Sequence, residues 1–133
     1  MSDVLAAPRE AAPTRIRLGG PWRVCPTTGL TVYADAEKLI RAHAVMATVM
    51  LLVGGIAAIG VMLTRWQAVH LLPAELFYRI LTVHGLTMLV FFILFFEMAV
   101  LYFAGPVLLK CRVPAPRLGW AGFWLMVAGS GLT

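Results

Sequence analysis

Residues 42–64 carry no formal charge over 23 positions, and residues 80–96 form a second uncharged run. The hydrocarbon core of a bilayer is about 30 Å thick and takes about 20 apolar residues of helix to cross, so the first run spans with some tilt. Few other structures can hold such a run, because backbone groups inside lipid must bond within their own helix or a closed barrel. No internal repeat and no strand-like alternation is visible. Apolar residues make up 61% of the chain and charged residues 13%, with a mean hydropathy of +0.88. A soluble domain of 133 residues would expose too much of that surface to water. The fold class is all-α integral membrane: two full transmembrane helices plus the start of a third, as part of a larger helical bundle.

Residues 1–34 are rich in Pro, Gly, Thr and Arg, show no sustained period, and read as a poorly ordered cytoplasmic tail. No apolar run near the start is long enough for a cleaved signal. Trp22 and Tyr33 are candidate anchors at the membrane face. The membrane domain is placed at residues 35–133, with helix one at about 36–65, helix two at about 74–105 and an incomplete helix three at about 118–133. Asp35 or its neighbour is expected to cap helix one. Gly54, Gly55, Ala57, Ala58 and Gly60 leave little side-chain bulk and predict close approach of another helix. Pro73 and Glu75 read as the start of helix two, and Gly105 with Pro106 as its end. The last apolar stretch, residues 119–133, reaches only about 22 Å by helical rise, short of the bilayer core. It is expected to be completed by further residues or by a neighbouring chain.

The net charge of +5 sits on the flanks of the apolar runs and does not suggest nucleic acid. Arg9, Arg15, Arg17, Arg23, Lys38 and Arg41 precede the first run, and Lys110, Arg112 and Arg117 follow the second. Only Arg65 and Arg79 lie between. Positive-inside counting therefore puts the N-terminus in the cytoplasm. Cys25 and Cys111 then share the cytoplasmic side, where neither spacing nor compartment suggests a disulfide or a metal site.

Among residues able to carry chemistry, His84 stands out. It lies inside helix two, about two turns from the outer end, where an ionisable side chain has few ways of being satisfied. Neutral imidazole is a good axial ligand for haem iron, and Gly85 beside it removes a side chain from the path of a flat macrocycle. A histidine bonded to a neighbouring helix is the other reading of the same pattern. At 100° per residue, Met88, Phe91 and Phe95 share the side of His84, either as walls of a cofactor or as packed core. Glu97 lies about 20 Å farther along the axis and cannot join His84 in one site. A carboxyl at that depth suits proton transfer, quinone contact or a pairing with another helix. His43 and His70, at opposite ends of helix one, are both expected to meet water or headgroups. Phosphate loops, nucleophile–base pairs and paired catalytic carboxylates are absent from the sequence.

Residues 70–102 (HLLPAELFYRILTVHGLTMLVFFILFFEMAVLY) resemble the first outer loop and second helix of subunit I of the haem-copper oxygen reductases. Tyr78, His84 and Gly85 reproduce a Tyr-x-x-x-x-x-His-Gly run familiar there, and the preceding His-Leu-Leu-Pro is similar to the B-type branch. The resemblance extends more loosely from about Glu37 to the end of the chain. It implies that His84 is one of two axial ligands to a low-spin haem placed toward the outer face, with Gly85 and Met88 beside it. The second axial ligand, the high-spin haem ligand, the copper ligands and the active-site tyrosine belong to later helices of that family, so high-spin haem and copper are expected on the missing part.

The resemblance implies the N-terminal part of a terminal respiratory oxidase in the bacterial cytoplasmic membrane. Its partners would be the remaining helices of subunit I or companion subunits, the lipid bilayer, and cytochrome c or quinol as electron donor. Nitric oxide reductases share the superfamily and the early histidine, and a non-catalytic membrane subunit with a structural His84 is the third reading.

Overall fold

The structure, a computed structural model, describes residues 22–25 and 27–132. Most of the expected tail, residues 1–21, lies outside the described residues. Its latter part is ordered as an antiparallel hairpin, β1 (Trp22–Val24) with β2 (Thr31–Tyr33). Trp22 stands opposite Tyr33, and their rings meet edge to face with centroids 5.4 Å apart, a cross-strand pair that holds the register. Strands of three residues are too short to show alternation, which is why the sequence reads as irregular here. The turn closes with Cys25 N–H on the Leu30 carbonyl and Gly29 N–H on the Cys25 carbonyl, both 2.9 Å. Gly29 supplies the positive φ of 67° that this turn requires.

Helix α1 (Ala34–Arg65) follows β2 without a linker. Its N-cap is Tyr33, in extended conformation and with no side-chain cap bond, so the expected Asp35 cap is corrected. Asp35 and Glu37 instead sit in the first turn, where they face the positive end of the helix dipole. Asp35 pairs with Lys38 at 3.4 Å, and Glu37 with Arg23 at 3.4 Å and Arg41 at 3.7 Å. The Arg23 pair ties the hairpin to the helix.

A second rod, Ala74–Leu109, runs back alongside α1. It comprises α2 (Ala74–Gly85), a π-helical turn (Leu86–Phe91) and α3 (Phe92–Leu109). Pro73 is the N-cap, and Glu75 in the first turn pairs with Arg79 at 2.7 Å. The helix continues past Gly105 and Pro106, the end expected from sequence, as far as Leu109. A proline costs the ladder one N–H, and here the helix resumes for most of a turn before Lys110 ends it in left-handed conformation with φ 49°. At 32 and 36 residues both rods are apolar and long enough to cross a bilayer. The third, α4 (Pro116–Gly131), starts with Pro116 in its first turn.

Apart from Thr64 near its end, the buried residues of α1 fall at Ala36, Leu39, His43, Ala47, Met50 and Gly54, the three-and-four spacing of one helix face. That face meets α3 and α4, where Phe95, Ala99 and Phe123 complete a small core. Most other large apolar side chains point outward, Leu89, Leu108 and Leu125 among them. The protein is an all-α integral membrane chain apart from its hairpin, and it turns apolar surface toward lipid or further helices.

Candidate functional site

His84 is half-buried near the end of α2, facing α1. Its Nδ1 lies 2.9 Å from the backbone carbonyl of Gly54. A carbonyl only accepts, so Nδ1 carries a proton and donates, and in the neutral ring Nε2 is the nitrogen with the lone pair. This is how ligating histidines are prepared: a bond at one ring nitrogen sets the tautomer and the orientation of the other.

At Gly54 the two rods approach closely. A Cβ placed there would stand 2.6 Å from Met88 Cγ, 2.7 Å from Met88 Sδ and 2.7 Å from Thr87 Oγ1. Only glycine allows this approach, and the approach brings the Gly54 carbonyl within reach of the imidazole. Gly85 is the opposite case, since a Cβ there would meet nothing within 4 Å. The surface beside His84 is open, as a flat macrocycle against the backbone requires. Tyr78, the first residue of the run that includes His84 and Gly85, points outward, and its carbonyl accepts a bond from the Thr82 hydroxyl at 2.9 Å.

The helix changes register directly after this pair. Leu86 N–H is shared between the Thr82 and Val83 carbonyls, whereas Phe92 N–H reaches back five residues to the Thr87 carbonyl. π-Helical turns gather at functional sites. Met88 packs on Gly54, and Phe91 and Phe95 lie against or within the core that α1 shares with α3 and α4, so the expected common side with His84 is the side that faces α1. The cofactor-wall reading of Phe95 is thereby replaced by the core reading.

A second histidine site was not foreseen. His43, expected to meet water or headgroups, has no exposed surface at all. Its Nδ1 donates to the Leu39 carbonyl at 2.8 Å, and its Nε2 has no partner. The rings of Phe123, Tyr102 and Phe95 surround it at centroid distances of 4.9, 5.3 and 6.1 Å. Its place on the Ala36–Leu39–His43–Ala47–Met50 spacing was the signal available in sequence. His70, by contrast, is exposed in the outer turn. Glu97 is exposed on α3 and makes no ion pair or hydrogen bond among the described residues.

No group of three or more His, Cys, Asp or Glu side chains that could hold a metal occurs among the described residues. Cys25 and Cys111 are free thiols. In the hairpin, the hydroxyl of Thr28, with the Thr28 and Thr27 backbone groups, holds the Cys25 thiol down at about 7.

A family model described as cytochrome c and quinol oxidase polypeptide I matches residues 38–133. No curated protein and no solved structure matches the chain. The match contains α1 from Lys38 onward, the rod from Ala74 to Leu109 and α4, with both His43 and His84, and leaves the hairpin outside.

Proposed function

This chain belongs to the cytochrome c and quinol oxidase polypeptide I family, and from that premise we propose that it supplies one axial ligand, His84 Nε2, to the low-spin haem of a membrane-bound terminal oxidase. The observation that carries the reading is the bond from His84 Nδ1 to the Gly54 carbonyl at 2.9 Å. It selects the tautomer in which the proton sits on the nitrogen away from the iron, and it orients Nε2 as an axial ligand requires. The residues present fit the group on one side: a free ring nitrogen, an open surface at Gly85, and Met88 packed next to the ring's anchor. When bound, the haem supplies a one-electron carrier on the route to the oxygen-reducing site. The protein's part is to set the ligand's tautomer and direction and to surround it with apolar side chains.

The second axial ligand, the high-spin haem and the copper belong, on this reading, to helices outside the chain. Those helices, or companion subunits, would cover part of the outward apolar surface. Cytochrome c or quinol is the electron donor, oxygen rather than nitric oxide is the substrate, and the B-type branch is the nearest within the superfamily. The proposed setting is the bacterial cytoplasmic membrane with the N-terminus inside. Glu97, exposed on an apolar helix without a partner among the described residues, is assigned to a proton path completed by those other helices.

The test is His84→Ala in the intact oxidase, read by reduced-minus-oxidised absorbance per mole of protein. Loss of the low-spin haem band with the polypeptide still in the membrane is the expected result. An undiminished band assigns the ligand elsewhere and leaves His84 a helix-packing residue.

A further inference from the structure

We propose that Thr87 is a positioning residue for His84: its hydroxyl, held on the carbonyls of Val83 and His84 where the α-helix passes into the π-helical turn, fixes the direction in which the imidazole points. The inference rests on the reading of His84 as an axial ligand.

The hydroxyl of Thr87 donates to the Val83 carbonyl at 2.6 Å and lies 3.2 Å from the carbonyl of His84 itself. Threonines in helices commonly bond back four residues, and Thr48, Thr64 and Thr82 do so here at 2.8 to 3.0 Å. Thr87 differs from all three in having a second acceptor. It also sits in the six-residue π-helical turn, where the ladder passes from the ordinary spacing at Leu86 to the five-residue spacing at Phe92. The Val83 carbonyl already shares the Leu86 N–H, so the Thr87 hydroxyl adds a side-chain donor to the two carbonyls that flank the change of register.

The third difference is what Thr87 touches. It is buried, and its Oγ1 lies against Gly54, the residue whose carbonyl accepts the hydrogen bond from His84 Nδ1–H. His84 is therefore pinned twice to one point on α1, through its ring by the Gly54 carbonyl and through its backbone by Thr87. Removing the hydroxyl frees the backbone pin only. The ring should then keep its iron but take up a changed or distributed orientation.

The experiment uses the intact oxidase carrying Thr87→Val, which keeps the branched shape against Gly54, and Thr87→Ser, which keeps the hydroxyl. Low-spin haem content is read by absorbance, and ligand-plane orientation by the largest g value in low-temperature electron paramagnetic resonance. The expected result is full haem content in both, a shifted or broadened g value in Thr87→Val, and a wild-type signal in Thr87→Ser. A wild-type signal in Thr87→Val overturns the inference, as does the same shift in both variants, which would trace it to packing. If Thr87→Val does not accumulate, Thr87→Ala against Thr87→Ser decides by the same comparison. His84→Ala separates the two claims. Retained low-spin haem there removes the axial-ligand reading, whereas lost haem there with a normal Thr87→Val signal removes only the role of Thr87.

Discussion

At the scale of single residues, Gly54 illustrates how a backbone position can matter as much as the side chain it serves. Five small residues on α1 look equivalent in sequence, yet their surroundings differ. A Cβ at Gly55 meets open space, one at Gly60 makes ordinary contact with Ile80 at 3.7 Å, and one at Gly54 collides with Met88 and Thr87. Gly54→Ala should therefore push the two rods apart, at a cost of about 1–3 kcal/mol typical of overpacking, and lengthen the bond to His84. Loss of such a supporting bond typically weakens metal sites about 10- to 100-fold. The expected outcome is a lower thermal midpoint and less low-spin haem per polypeptide in Gly54→Ala, with Gly55→Ala like wild type on both measures. His84 itself was legible because an imidazole within an uncharged run has few explanations. His43 was misplaced because its nearness to Arg41 and Lys38 suggested the membrane boundary, whereas helix phase, not depth, decides its burial.

At the scale of elements, the apolar runs specify the rods, since only helices satisfy their own backbone groups through lipid. What composition could not show were the interruptions. The π-helical turn has no residue signature, because it arises from bonding between turns, and Pro106 lies within a helix that its presence argues against. The hairpin was hidden by its brevity, its order depending on Trp22 against Tyr33 and on Arg23 reaching Glu37. It also creates a chemical consequence at Cys25. Hydrogen bonds to sulfur favour the thiolate, and that thiol is held at about 7 chiefly by Thr28. The rate of iodoacetamide labelling of Cys25 should thus rise through a midpoint near 7, with Cys111 removed by substitution. Thr28→Val takes away a bond to the charged form, so its midpoint should move upward, toward the ordinary thiol value of about 8.5. A midpoint unmoved by Thr28→Val would show that the turn does not support the thiolate.

At the scale of the whole molecule, the hairpin and the segment after α3 occupy the same end. Arg112 lies over the Tyr33 ring at 5.8 Å, and a cleft of about 370 Å³ is lined by Trp22 and Leu30 from one side and Pro106, Val107 and Lys110 from the other. Arg23, Lys38, Arg41, Lys110, Arg112 and Arg117 gather at that end, against Arg65 and Arg79 at the opposite one. Carboxylates do not cancel the difference. Asp35 and Glu37 are taken up by Lys38, Arg23 and Arg41, leaving Lys110, Arg112 and Arg117 without an ion pair among the described residues. Because lysine and arginine, more than net charge, decide which end stays inside, the hairpin end should face the cytoplasm. The two native thiols, Cys25 and Cys111, report on that end, and Gln67, exposed in the connection between α1 and α2, reports on the other once changed to cysteine. A membrane-impermeant maleimide added to intact cells should label Gln67→Cys and spare both native cysteines, and inverted vesicles should reverse the pattern. Labelling of Cys25 from outside would turn the chain over. His84, which lies within a few turns of the α1–α2 connection, would then sit near the cytoplasmic face, and the placement of the low-spin haem toward the outer face would fail.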